Sequence, residues 1–188
     1  MYNIFSNLLF GIVGGIVSSI IVSRMFWIMS ELKTIIDVLD AEYGELCVLQ
    51  GKMDALKVIC EDNSIQSRSI SSEVFSQIQI IKDDIKDDAD KKWIDLVYLN
   101  VKENEVIDII DTFIEYADSI KSMKQVSFEY LNDSKKIFDV CRKKVNEYKD
   151  TYGKRLIKRL LTDKMMIALY AVVLFDIVGV IITGLLGV

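Results

Sequence analysis

Proline is missing from all 188 residues, although average usage of about 5% would supply roughly nine. Glycine is scarce between the two ends, with only Gly44, Gly51 and Gly153 lying outside the terminal apolar runs. A chain so short of turn formers, and rich in Ile, Leu, Lys, Asp and Glu, reads as long helices with few tight corners. An all-β fold would need many more breakers. Histidine is also absent, which removes the commonest general base, the commonest zinc ligand and the usual switch near neutral pH. The three cysteines, Cys47, Cys60 and Cys141, form no CxxC pair and are odd in number. Free thiols in a reducing compartment are expected rather than a disulfide framework.

Charge is missing from the two ends. The run from Ile4 to Val22 has no charged residue over 19 positions. At 1.5 Å per residue it rises about 28 Å, close to the roughly 30 Å hydrocarbon core of a bilayer. The run Met165–Val188 holds 24 residues with one charge, Asp176. Two membrane spans are expected, 1–24 and 164–188, with Phe26, Trp27 and Tyr170 placed for the interfacial belt. A cleaved signal peptide fits the first run poorly, because no Lys or Arg precedes it and no A-x-A-like site follows. Arg24 and Lys33 follow the first run, while Lys154, Arg155, Lys158, Arg159 and Lys164 precede the second. The expected topology therefore puts residues 25–163 in the cytoplasm, as a head on the inner membrane, and both termini on the outer side.

Within the head, Met25, Ile28, Leu32, Ile35, Leu39, Glu42, Leu46, Leu49, Met53, Leu56 and Cys60 alternate spacings of three and four. Ten of these eleven positions are apolar. That is a heptad seam on a stalk helix expected over 25–61 and continuous with the first span. Asp62-Asn63-Ser64 and Ser67–Ser72 are the clearest breaker. Helices are expected over 70–90, carrying Ile70, Val74, Ile78, Ile81 and Ile85 on one face, and over 93–123, carrying Val106, Ile110, Phe113, Ala117 and Ile120. Asn100–Asn104 is a candidate interruption of the latter. A return helix over 127–161 shows a second seam, Leu131, Ser134, Phe138, Cys141, Val145, Tyr148 and Tyr152, with Gly153 and Thr162-Asp163 as candidate kinks. The fold class is thus an all-α membrane protein with terminal transmembrane helices flanking a helical-bundle or coiled-coil head.

Three features are candidates for function. Asp176 lies twelfth of the 24 positions in the last run, where a carboxylate costs about 2.5–3.5 kcal/mol on insertion scales and so should face protein or water. In a homo-oligomer it would form a ring lining an ion pathway; a buried acid that only holds helices together is the plainer alternative. Gly11, Gly15 and Ser19, and beside them Gly14 and Ser18, form two rows of small residues that permit close helix approach, with Gly179, Gly184 and Gly187 less regularly placed. Charge is also polarised: residues 1–134 carry a net −11, whereas Lys135–Arg159 carries +7. Arg142, Lys143, Lys144, Lys154, Arg155, Lys158 and Arg159 are candidates for contact with anionic lipid, for docking a nucleotide or nucleic-acid strand, or for pairing with the acidic half of the head.

The tract Asp83–Asp90 lacks the glycine and the glutamate that an EF-hand loop requires and reads as a solvated face. No nucleophile sits with a matching base, no metal-ligand spacing occurs and no cofactor motif is present, so no enzymatic activity is expected. In layout the chain resembles the small two-span effectors of bacterial anti-phage systems, and that resemblance implies a membrane-impairing effector released by a regulatory partner or a nucleotide-type signal. A non-conducting anchored scaffold that recruits a cytosolic partner is the other reading.

Overall fold

The computed structural model describes the backbone of residues 2–66 and 72–186, and the side chains of residues 11–61 and 73–182. Six α-helices account for nearly all of it: α1 Tyr2–Gln66, α2 Ser72–Val97, α3 Asn104–Lys121, α4 Phe128–Asp150, α5 Tyr152–Thr162 and α6 Lys164–Leu186. No strand occurs among the described residues. The chain divides into two compact units, a terminal unit of Met1–Ile36 with Asp150–Val188 and a central unit of Asp37–Lys149. α1 contributes to both.

α1 runs unbroken for 65 residues. It passes through Gly44, Gly51 and Asp62-Asn63-Ser64, so the expected stop after Glu61 falls instead after Gln66. A helical glycine costs only about 1 kcal/mol relative to Ala, and the seam offsets that locally. Leu39, Leu46, Leu49, Met53 and Leu56 are buried in the central unit, each at 4% exposure or less. The rest of the breaker, Ser67–Ser71 with Ile70, lies outside the described residues.

The other helices of the central unit present matching faces. α2 buries Ile78, Ile85, Ala89 and Leu96; α3 buries Val106, Ile109, Ile110, Phe113, Tyr116, Ala117 and Ile120; α4 buries Leu131, Ser134, Phe138, Cys141, Val145 and Tyr148. Two expected boundaries move. α2 does not close at the acidic tract but continues to Val97, because Ile85, Ala89, Lys92 and Leu96 keep helical spacing on the buried side while basic partners hold the acids. Lys52 pairs with both Asp84 and Asp88, and the buried Lys92 pairs with Glu42 and Glu45. Burial alone would lower the Lys92 ammonium, but its two carboxylates hold it above its ordinary value. The chain leaves the helix at Tyr98–Glu103, so residues 93–97 belong to α2 and α3 starts at Asn104. The return helix is likewise divided, at Thr151, into α4 and α5.

Aromatic rings fill the middle of the central unit. Tyr43 stacks on Phe138 with centroids 5.6 Å apart, and Tyr116 tilts against the same ring at 5.5 Å. The buried Tyr116 hydroxyl donates to Gln50 Oε1 at 2.9 Å, which satisfies a buried polar residue beside the α1 seam. Cys141 donates its thiol to the Thr112 carbonyl, and burial pushes that thiol up to about 12. It is a seam residue rather than a reactive thiolate. Cys47 lies off the seam and is exposed, and Cys60 is half-buried.

Deleting the Phe113 side chain should cost about 3–5 kcal/mol, whereas Val48→Ala, at a position 63% exposed, should stay within about 0.5 kcal/mol. Hydrogen exchange of α3 amides in the full chain measures both. Equal protection in the two variants would contradict this core.

Candidate functional site

In the terminal unit, α5 and α6 pack beside the first part of α1. Ile28, Leu32 and Met166 form the buried centre, with Ile21, Met25, Tyr152, Leu156, Leu160 and Leu169 packed around it. The pairing of Arg24 with Asp163 and of Glu31 with Arg159 shows that α5 runs antiparallel to α1. The Ile28 and Leu32 positions of the long seam are therefore covered within the chain.

In the sequence Thr162-Asp163 is a candidate kink; in the structure Asp163 is the junction of the unit. Its backbone is extended, at φ −68° and ψ 121°, which ends α5. Its carboxylate then caps α6, accepting the Met166 N–H at 3.0 Å. This is the N-cap geometry that satisfies an orphan donor and places negative charge at a helix start. Arg24 reaches the same carboxylate with two nitrogens, Nη2 to Oδ2 at 2.6 Å and Nε to Oδ1 at 3.3 Å. Its guanidinium carbon lies 4.1 Å from the centroid of the Trp27 ring. Hydrogen bonding from Arg24 and from the Met166 amide holds the Asp163 carboxyl below its ordinary value. Trp27, Ile28, Glu31, Arg159, Thr162 and Asp163 line one shallow recess of about 150 Å³ at this junction. The available signal was an Asp three residues before an amide that opens an apolar run, with an Arg just beyond the other apolar run.

α1 and α6 are each long and apolar enough to cross a membrane, and only 11% and 6% of their most apolar stretches are buried within the chain. Asp176 sits in α6 and is half-buried between the exposed Phe175 and Ile177. Among the described residues no hydrogen bond or ion pair engages its side chain. Gly11, Gly15, Ser18 and Ser19 are exposed, and Gly14 and Gly179 are half-buried. Leaving out the helix's own backbone, a Cβ added at Gly11, Gly14, Gly15 or Gly179 would meet no atom within 4 Å among the described residues. Ser19 donates to the Gly15 carbonyl one turn earlier. Gly187 lies outside the described residues, and of Gly184 only its place in the α6 backbone is described.

The basic stretch is divided between two helices. Arg142, Lys143 and Lys144 lie on α4 in the central unit, and Lys154, Arg155, Lys158 and Arg159 on α5 in the terminal unit. Lys144 donates to Asp108 and to Thr112 Oγ1, Arg142 to Asp139, and Lys143 lies 3.8 Å from Glu147. Lys149 makes two bonds to Asp40, and Lys135 lies 3.8 Å from Asp54. Lys135, Lys144 and Lys149 thus meet carboxylates from residues 1–134, whereas Arg142 and Lys143 face carboxylates inside the basic stretch itself. Arg155 donates to Thr151, and Arg159 pairs with Glu31 at 3.1 Å. Lys154 and Lys158 are exposed and in no ion pair among the described residues. Among those residues, no group of three or more Cys, Asp or Glu side chains is arranged to hold a metal ion.

Comparison with protein-family models, curated proteins and solved structures finds no match for this chain.

Because the folded-state pKa of Asp163 is depressed, the Arg24 contact is fully formed above the ordinary carboxylate range and is lost as pH falls through that lower value. Trp27 emission in a Trp93→Phe background should therefore change only in acid below about pH 4. Asp163→Asn should remove that transition, and its persistence would show that another group causes it.

Proposed function

We propose that this chain is a non-enzymatic, oligomeric membrane protein that conducts ions or permeabilises the bilayer under control of its helical head. In this reading α1 and α6 supply the two spans, and the head is cytoplasmic at the inner membrane, on the side of Arg24, Lys154, Lys158 and Lys164. The observation that carries the proposal is Asp176, an acid midway along an apolar helix that its own chain leaves largely uncovered. Such a group needs water or other helices around it, and a ring of identical acids from several copies supplies both. The open rows at Gly11, Gly14, Gly15, Ser18 and Ser19 support the same assembly, since small residues let neighbouring helices approach closely. Because α1 runs through both units, a partner or nucleotide-type ligand bound to the head would act on the spans through that helix. The layout resemblance to anti-phage effectors supports a defence role.

A non-conducting scaffold is the second reading. It is favoured by large apolar side chains on the head surface, with Phe75 55%, Ile80 66% and Tyr98 82% exposed, which suit protein contacts.

Ion flux from liposomes containing the purified protein separates the two. The wild type should conduct, and Asp176→Asn should reduce flux by about tenfold or more, as expected when a pathway carboxylate loses its charge. Absence of flux, or equal flux in the two proteins, would remove the pore reading. Asp176→Leu should be neutral or stabilising for a scaffold.

A further inference from the structure

We infer that the outward face of α5 is a docking surface for the headgroups of anionic phospholipids in the leaflet next to the head, with Lys154 and Lys158 as the phosphate contacts. This inference rests on the membrane-spanning reading of α1 and α6. It does not require conduction.

The sorting of cations on α5 identifies the face. Tyr152, Leu156 and Leu160, one helical turn apart, pack onto the α1–α6 core. Arg155 and Arg159 flank that side and are engaged by Thr151 and Glu31. Lys154 and Lys158 lie on the opposite side, four residues apart, exposed and in no ion pair among the described residues. Beside them are Ile157, 59% exposed, and Leu161, 63% exposed. At 100° per residue these four side chains fall within about one third of the helix circumference. The strip therefore alternates ammonium and aliphatic groups.

A strip of that composition suits one kind of surface. Solvent would leave Ile157 and Leu161 without cover, and an apolar protein groove would strand two ammonium groups. A headgroup layer offers phosphate oxygens to the lysines and glycerol and upper acyl carbons to the aliphatic side chains. Position agrees with chemistry. Lys164 opens the apolar α6 three residues after Leu161, so even Lys154 lies within about 15 Å along the chain of the apolar segment. At low salt, about 0.01 M, that lies within the roughly 30 Å over which an anionic leaflet attracts cations. Trp27, 52% exposed, shares a recess with Arg159, Thr162 and Asp163, which puts an interfacial aromatic on the same level.

Trp27 can report on this directly. The full chain carrying Trp93→Phe has Trp27 as its one remaining tryptophan. It is reconstituted into mixed phosphatidylcholine and phosphatidylglycerol vesicles in which one or the other lipid is brominated. At low salt the anionic lipid should quench Trp27 with about threefold or greater preference, a conservative figure for two lysines close to a charged leaflet. Lys154→Gln with Lys158→Gln should bring the two lipids to parity, and Lys143→Gln, already beside Glu147, should not. Equal quenching by both lipids in the lysine-intact protein, or a preference that survives the double substitution, overturns the inference while leaving the spans in place. No quenching by either lipid overturns the spanning reading itself. Parity accompanied by a change of oligomeric state on substituting the two lysines assigns the strip to a second copy and also overturns it.

Discussion

One row of apolar side chains on α1 supplies the surface on which both units are built. Burying a Leu or Ile side chain is worth about 1.5–3 kcal/mol, and the row repeats that gain from Ile28 to Leu56 with spacings that keep it on one helix face. In the terminal unit the row meets Met166 and the inner side of α5. In the central unit the row is buried, and α1 there meets α2, α3 and α4 through Lys52–Asp84, Gln50–Tyr116 and Tyr43–Phe138. The row's one strongly polar member, Glu42, meets Lys92, and the buried Gln50 beside the row accepts from Tyr116. A helix with such a seam tolerates two interior glycines and an Asp-Asn-Ser sequence, since tertiary burial outweighs intrinsic propensity.

Electrostatics then refines what packing establishes. The strongly acidic and strongly basic parts of the chain are largely complementary within it, as Lys52, Lys92, Lys144 and Lys149 each meet a carboxylate from another helix. Most of these pairs are solvent-exposed and individually worth little, typically under about 1 kcal/mol. Their collective role is register, because each fixes which turn of one helix lies beside which turn of the next. Lys92 differs: its side chain is 5% exposed, so it must keep its carboxylates, and removing them would strand a buried charge.

Periodicity made much of the fold legible in the sequence. All six buried α4 residues belong to the predicted return-helix seam, and every buried seam position on α1 was in the predicted row. Boundaries were less legible. The acidic tract at Asp83–Asp90 resembles a terminator when its own composition is considered, and only partners from elsewhere, Lys52 on Asp84 and Asp88 and Lys121 on Asp90, show why the helix continues. Likewise, a charge sum over Lys135–Arg159 cannot distinguish a paired lysine from a free one, so the basic stretch read as a single feature although it is divided between two helices. Asp163 was visible as a breaker, but its union with Arg24 spans 139 residues of sequence and has no local signature. Asp176 needed only hydropathy to be noticed.

The extended residue at Asp163 has an effect on the two apolar segments that their compositions do not suggest. The first is a direct continuation of α1, so the direction in which Gly11, Gly14 and Gly15 point is dictated by the same winding that buries Ile28 and Leu32. The second starts afresh after a non-helical joint, so its phase does not continue that of α5. The azimuth of Asp176 is therefore set separately, by torsion at Asp163, by the guanidinium that grips it and by the seating of Met166 and Leu169.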